Sequence, residues 1–136
     1  MTKDPVFCQA SDSAVIAAKL MLKHNIGALP VVGSLPEDKL VGILTDRDLA
    51  MKVVGAGRDP HQTTVHDIMS SPVVTCSPDD DYQKALDLME QHQIKRIPAV
   101  DKAGHVVGMI SEADVALRIP DEKKIEEVVR SIVQPV

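Results

Sequence analysis

An internal duplication is the feature of this 136-residue chain that most constrains its fold. Residues 40–48 read LVGILTDRD, and residues 106–114 read VVGMISEAD. Each copy places an apolar run before a hydroxyl residue, with an aspartate three positions later. Upstream, Ile26 and Pro30 recur 68 residues later as Ile94 and Pro98. A chain made of two copies of one unit is expected to fold as two similar motifs.

Each copy has the same predicted order of elements, β-α-β-β-α. A short extended lead-in is followed by a helix whose start is marked by small hydroxyl and acidic residues, at 11–12 and at 77–80. Two strands and a second helix complete the unit. The predicted fold class is α/β, an α+β sandwich of two such motifs packed with pseudo-two-fold symmetry. The predicted boundaries are 4–56 for motif 1, 57–72 for a flexible connection with a short helix, 73–119 for motif 2 and 120–136 for a C-terminal amphipathic helix.

Two predicted helices carry apolar faces whose packing partners the sequence leaves open. The first helix of copy one is apolar nearly all round between Ala14 and Leu22, which predicts one face on the sheet and another on the second copy or another protomer. In the C-terminal helix, apolar residues between Ile125 and Val133 follow helical spacing. That helix is predicted to pack either on its own domain or against a second protomer or a partner.

Composition excludes several function classes. A net charge of −5 argues against a general nucleic-acid binder, and an aromatic content limited to Phe7 and Tyr82 argues against base stacking. No apolar run approaches the roughly 20 residues that span a bilayer. The N-terminus lacks the pattern of a signal peptide, so the predicted location is cytoplasmic, with neither DNA nor a membrane as partner.

The sequence shows no spacing typical of a metal or catalytic centre. The five histidines are scattered, and the two cysteines, Cys8 and Cys76, are too few for a disulfide framework. Both are predicted to be buried free thiols, the alternative being a redox or metal role if the fold brings them together. Gly55 and Gly57 lack the full pattern of a dinucleotide-binding loop. No catalytic residue, metal or cofactor is therefore predicted.

The repeated hydroxyl-x-x-aspartate has two compatible interpretations. Thr45 and Ser111 are expected to cap helices that carry Asp48 and Asp114. Alternatively, each carboxylate binds a ribose diol while the hydroxyl and nearby backbone N–H groups bind phosphate. Arg96 supplies a cation that forks onto phosphate, unless it is only a solvated surface charge.

These motifs together resemble a tandem pair of CBS domains, the regulatory modules named after cystathionine β-synthase. The resemblance rests on VHDIM at 65–69, the paired Ile-x-x-x-Pro stretches, GILTDRD at 42–48 and GMISEAD at 108–114, and it covers residues 4–119. It implies two clefts between the copies that bind adenosine-containing ligands such as AMP, ADP, ATP, S-adenosylmethionine or NAD.

The resemblance also assigns residues to each cleft. Cleft 1 takes Thr45, Arg47, Asp48, Val74, Thr75, Lys95, Arg96, Ile97 and Pro98, and cleft 2 takes Val6, Phe7, Ala28, Leu29, Pro30, Ser111 and Asp114. The clefts are unequal, because Ala28 and Ala113 stand in cleft 2 where cleft 1 has Arg96 and Arg47. We therefore expect cleft 1 to bind phosphorylated nucleotides more tightly.

The implied function is a stand-alone, non-catalytic sensor of adenine nucleotides. The resemblance implies a homodimer formed through helices, and we expect a regulated protein partner of unknown identity; Mg²⁺ would accompany ATP. One alternative is a structural dimerisation module without a physiological ligand. Another is a small enzyme, which the clefts disfavour because the residues assigned to them offer Asp48 and Asp114 but no paired histidine or second acid.

Overall fold

The computed structural model describes residues 6–113, which form two compact units. The first unit comprises Val6–Val73 with Ala103–His105, and the second comprises Val74–Lys102 with residues from Val106 onward. The first contains β1 (Cys8–Gln9), α1 (Ala14–His24), β2 (Ala28–Val32), β3 (Leu40–Thr45), α2 (Asp46–Leu49), a π-helix (Ala50–Val54) and α3 (Val65–Ile68). The second contains α4 (Tyr82–His92), β4 (Arg96–Val100) and β5 (Val106–Ser111). Asp114 and the predicted C-terminal helix at 120–136 lie outside the described residues.

The sheet of the first unit has β2 at its centre. β1 pairs with β2 in parallel and β3 pairs with it antiparallel, in the order β1-β2-β3. Every residue of β2 is buried. Ser70 forms an antiparallel bridge with Ile43 on β3, so the segment after α3 extends the pairing beyond β3. This pairing gives the connection between the repeats a defined path along the sheet.

The second unit repeats the hairpin of the first with the same register. Arg96 pairs with Ser111 as Ala28 pairs with Thr45, and both hairpins contain an irregularity near their far end. Cys76 forms a parallel bridge with Ala99. Ala85, Leu86 and Met89 of α4 are buried in a core with Cys76, Ile97, Ala99 and Ile110. The mixed α/β class is confirmed, and the described part of the second unit repeats the first helix and the hairpin of the first unit.

The first helix of each repeat begins later than the sequence predicts. The caps are Ser13, whose Oγ accepts from the N–H of Ile16, and Asp81, whose side chain accepts from the N–H of Lys84. The predicted starts at 11–12 and 77–80 are wrong because Asp12 and Asp80 close the preceding turns, accepting from the N–H groups of Gln9 and Ser77 at 2.8 Å. The predicted ends are confirmed: Asn25 and Gln93 both adopt the left-handed conformation that terminates a helix.

The second helix of copy one changes its geometry after one turn. α2 spans only Asp46–Leu49, and the chain continues as a π-helix over Ala50–Val54. The N–H of Gly55 donates to the carbonyl of Ala50 at 2.7 Å, five residues back. Within this π-helix, Val53 is 2% exposed and Val54 is 79% exposed. A regular α-helix was expected here.

The connection between the repeats is a chain of hydrogen-bonded turns. Within it, the hydroxyl of Thr63 donates to the carbonyl of Asp59 at 2.8 Å, and α3 follows within the predicted 65–69. The N–H of Val65 donates to the carbonyl of Asp12 at 2.8 Å, which ties the start of α3 to the turn before α1. The side chains of Val65 and Ile68 are fully buried in the core of the first unit.

Candidate functional site

The predicted Thr45-x-x-Asp48 motif is a complete capping box. Thr45 Oγ1 accepts from the N–H of Asp48 at 3.2 Å, and Asp48 Oδ2 accepts from the N–H of Thr45 at 2.9 Å. The hydroxyl of Thr45 also lies 3.1 Å from Asp48 Oδ2, to which it can donate. The capping interpretation is therefore confirmed, and the carboxylate is held at the turn from β3 into α2.

The backbone donors at this turn are already used within the first unit. The N–H of Asp46 donates to the carbonyl of Gly27 at 2.9 Å, and that of Arg47 donates to Asp46 Oδ1 at 2.8 Å. With the N–H of Asp48 bound to Thr45, these three backbone donors have intramolecular partners. The expectation that free backbone N–H groups here bind phosphate is corrected for these three donors, and the side chain of Arg47 at the same turn is exposed.

A residue that the sequence prediction omitted completes the surroundings of Asp48. Lys52 Nζ lies 3.1 Å from Asp48 Oδ1 and donates to the carbonyl of Ile68 at 3.0 Å. The side chain of Lys52 is 45% exposed, and that of Asp48 is 13% exposed. The i,i+4 spacing of Asp48 and Lys52 is a signal that the sequence contains. The contact with Ile68, 16 residues away in the chain, has no such signal.

The cleft 1 residues in the second unit divide by exposure. Lys95 and Arg96 are exposed, whereas Ile97 and Pro98 are fully buried. Val74 and Thr75 are half-buried. The N–H of Glu112 donates to the carbonyl of Lys95 at 2.9 Å, the counterpart of the bond between Asp46 and Gly27. Since the buried side chains belong to the core, the charged pair Lys95 and Arg96 is the part best able to contact an anion.

The described residues predicted for cleft 2 are more apolar and less exposed than those predicted for cleft 1. In the first unit, Val6 and Phe7 are half-buried, and Ala28, Leu29 and Pro30 are buried. In the second unit, Ser111 ends β5 opposite Arg96, and Asp114 is not among the described residues. Ala28 is 8% exposed at the position that matches the exposed Arg96. The two repeats therefore differ at this position in both charge and accessibility.

The cysteines occupy matching structural positions. Cys8 Sγ lies 4.0 Å from the carbonyl oxygen of Pro30, and Cys76 Sγ lies 3.9 Å from that of Pro98. Burial, with a smaller contribution from Asp12, raises the pKa of the Cys8 thiol to about 12. Burial and Asp80 raise the pKa of Cys76 above 9.0. Since the thiolate is the reactive form, both cysteines have the environment of structural thiols. The prediction of buried free thiols is confirmed.

An apolar groove opens on the helical face of the first unit. It has a volume of about 320 Å³. It is lined by Ala14, Val15, Ala18, Lys19, Leu22, Leu49, Val53, Val54 and Pro60. Leu22 and Val54 are 83% and 79% exposed. The sheet-facing side of α1 is buried as predicted, and its second apolar face, with Val15, Ala18 and Leu22, forms one wall of this groove.

Comparison with known proteins assigns the family. The CBS domain family matches residues 1–55 and 65–121 of this chain. The chain belongs to the CBS domain family. It is 36% identical over 124 residues to Hypoxic response protein 1 of Mycobacterium tuberculosis, covering 91% of this chain and 84% of that protein. As a CBS domain pair, it is a non-catalytic regulatory module, as predicted.

Two solved structures resemble this one closely. The crystal structure of Hypoxic Response Protein I with two coordinated zinc ions matches with a TM-score of 0.79 and 33% identity, covering 88% of this chain and 95% of that chain. The CBS domain pair of protein MJ0100, in complex with 5′-methylthioadenosine and S-adenosyl-L-methionine, matches with a TM-score of 0.75 and 32% identity, covering 86% of this chain and 89% of that chain.

The described residues contain neither grouped metal ligands nor a membrane-spanning helix. Over residues 6–113, no three His, Cys, Asp or Glu side chains are grouped so that they could hold a metal ion. Within the same residues, no helix has the length and apolar character needed to cross a bilayer.

Proposed function

We propose that this CBS pair senses adenosine-containing ligands of the AMP, ADP and ATP class and transmits their presence to a partner protein. The observation that carries the proposal is the Thr45–Asp48 box, which holds a carboxylate, 13% exposed, at a strand-to-helix turn beside the exposed Arg47. A carboxylate held in this way can accept hydrogen bonds from ribose hydroxyls. The complex of MJ0100 with two adenosine derivatives supports this ligand class.

We assign the tighter binding of phosphorylated ligands to the residues of cleft 1. Arg47 and Arg96 are both exposed cations, whereas the matching positions of cleft 2 hold Ala113 and the buried Ala28. An arginine forks onto phosphate with charge-assisted hydrogen bonds. We expect ATP to carry Mg²⁺, because Mg²⁺ is held in nucleotide complexes largely by the phosphates of the ligand and by water.

Titration calorimetry with AMP, adenosine, ATP with Mg²⁺, and S-adenosylmethionine tests the proposal. We expect Arg96→Ala to weaken AMP binding roughly ten- to 150-fold, since a hydrogen bond to a charged group contributes about 1.5–3 kcal/mol. The affinity for adenosine, which lacks the phosphate, is expected to fall much less in this variant. Lys102→Ala is the matched control, because Lys102 is an exposed cation of the same unit outside both predicted clefts. AMP binding unchanged in Arg96→Ala, or equal occupancy of two sites, contradicts the assignment to cleft 1.

A second candidate function is a structural dimerisation module that uses no ligand. The apolar groove favours it, because Leu22 and Val54 are exposed beside a concave apolar surface that a second copy would cover. Homodimerisation through these helices is compatible with the sensor. A thermal-shift screen separates the two functions, since a ligand at 100 times its dissociation constant adds about 2.7 kcal/mol of stability. No shift with any adenosine compound favours the purely structural function.

A further inference from the structure

Lys52 joins two parts of the first unit that are distant in sequence. Its ammonium lies 3.1 Å from Asp48 Oδ1 and 3.0 Å from the carbonyl oxygen of Ile68. Asp48 belongs to the capping box at the end of β3, and Ile68 is the last residue of α3. One side chain thus contacts both the proposed ligand-binding carboxylate and the segment that leads into the second repeat.

The hydrogen bonds around Asp48 restrict where a ligand can approach. The N–H and the hydroxyl of Thr45 both contact Oδ2, and Lys52 contacts Oδ1. An ionised carboxylate has about four acceptor positions, two on each oxygen. A ligand hydroxyl that binds Asp48 therefore meets Oδ1 and shares it with Lys52, and a vicinal diol that takes both positions on Oδ1 displaces the ammonium.

The backbone on both sides of the Ile68 carbonyl, which Lys52 contacts, is hydrogen-bonded. The carbonyl of Ile68 belongs to the same peptide group as the N–H of Met69, which donates to the carbonyl of Val65 at 2.8 Å. The next residue, Ser70, exchanges two backbone hydrogen bonds with Ile43 on β3, at 2.9 and 3.0 Å. The peptide group that Lys52 contacts therefore lies between α3 and the point where the connection pairs with the sheet.

We propose that Lys52 couples occupancy of Asp48 to the connection between the two repeats. The inference rests on the proposed function, because it requires a ligand hydroxyl at Asp48. When that hydroxyl takes Oδ1, the ammonium loses part of its hydrogen bonding to Asp48 and its interaction with the Ile68 carbonyl changes. The ligand thereby favours one of two arrangements of the Lys52 hydrogen bonds, and the backbone of the segment that leads to the second repeat responds.

The amide signal of Met69 is a direct readout of this coupling. We expect titration of the ¹⁵N-labelled protein with AMP to move the Met69 amide resonance in the wild type and in Lys52→Arg, which keeps a cation with several donors. In Lys52→Met the same resonance is expected to stay in place. The AMP affinity of Lys52→Met is measured in the same titration, and the Met69 response is compared between the proteins at saturating AMP.

The second unit offers a matched control. Lys84 forms an i,i+4 ion pair with Asp80 at 3.5 Å, so Lys84→Met removes a similar pair away from Asp48. It should leave the Met69 response to AMP intact. A Met69 response that persists unchanged in Lys52→Met, or that is missing in a wild type that binds AMP, overturns the coupling and leaves the proposed function standing. A wild type that binds no AMP and no other adenosine compound overturns both.

Discussion

Thr45 and Asp48 bind each other through both backbone and side chain, with contacts of 2.9, 3.1 and 3.2 Å. The same pair closes the turn from β3 into α2 and forms the core of the proposed ligand site. Stability and ligand binding are therefore expected to depend on the same residues, and an experiment must separate the two effects.

We expect Thr45→Ala to lower both stability and AMP affinity. Loss of an N-cap side chain costs about 1 kcal/mol of folding free energy, or roughly 3–5 °C in Tm for a domain of this size. Affinity falls as well, since Asp48 loses the hydroxyl that contacts its carboxylate. The matched control is Ser13→Ala, which removes the N-cap of α1, outside both predicted clefts. It should lower Tm similarly and leave AMP affinity unchanged; equal losses of affinity in both variants would mean that capping alone explains the motif.

Gly42→Ala is expected to destabilise the first unit by about 1–3 kcal/mol, the range typical of overpacking. A Cβ at Gly42 would overlap Met69 Sδ and lie 3.1 Å from the carbonyl oxygen of Ser70. The methionine can move, but the backbone of Ser70 is paired with Ile43. Gly33→Ala is the control, because the added Cβ would meet only Val41 Cγ1, at 3.4 Å. Urea unfolding that gives both variants the same midpoint contradicts this packing.

Leu22→Glu is expected to convert a dimer into monomers. Leu22 is 83% exposed on the wall of the apolar groove, and a carboxylate there would be desolvated at any interface that covers it. Leu35→Glu changes another exposed leucine, 53% exposed in the loop between β2 and β3, and should leave the assembly intact. Sedimentation equilibrium measures the molecular mass of both variants in solution. A wild type that is monomeric at high concentration removes the proposed dimer.

The buried thiols predict slow alkylation and a loss of stability in alkali. At pH 8, iodoacetamide should label Cys8 and Cys76 in urea but not in the native protein, as mass spectrometry can show. The raised pKa of Cys8 contributes stability that is fully present below the ordinary value of 9.0 and is lost as the pH rises through about 12. Cys8→Ala should weaken this alkaline dependence in unfolding experiments between pH 7 and 11. Rapid labelling of the native protein would contradict the buried environment.

Local sequence patterns predicted the two hairpins of the fold and the Thr45–Asp48 capping box of the candidate site. The duplication predicted two equivalent hairpins, and the structure gives them the same register, with Thr45 opposite Ala28 and Ser111 opposite Arg96. The Thr45–Asp48 box was predictable because a capping box needs only residues three positions apart. The helix starts were mispredicted because Asp12 and Asp80 suit a turn as well as a cap, and the choice depends on the neighbouring backbone.

The sequence by itself determined the repeat, the family resemblance, the helix ends at Asn25 and Gln93 and the difference in charge between Arg96 and Ala28. All of these depend on residue type and on spacing within a few positions. Only the tertiary structure decided that Ala28 is buried while Arg96 is exposed, and that Lys52 bridges Asp48 and Ile68. Burial and contacts across 16 residues arise from how helices and strands pack, and packing brings together groups whose spacing along the chain carries no signal.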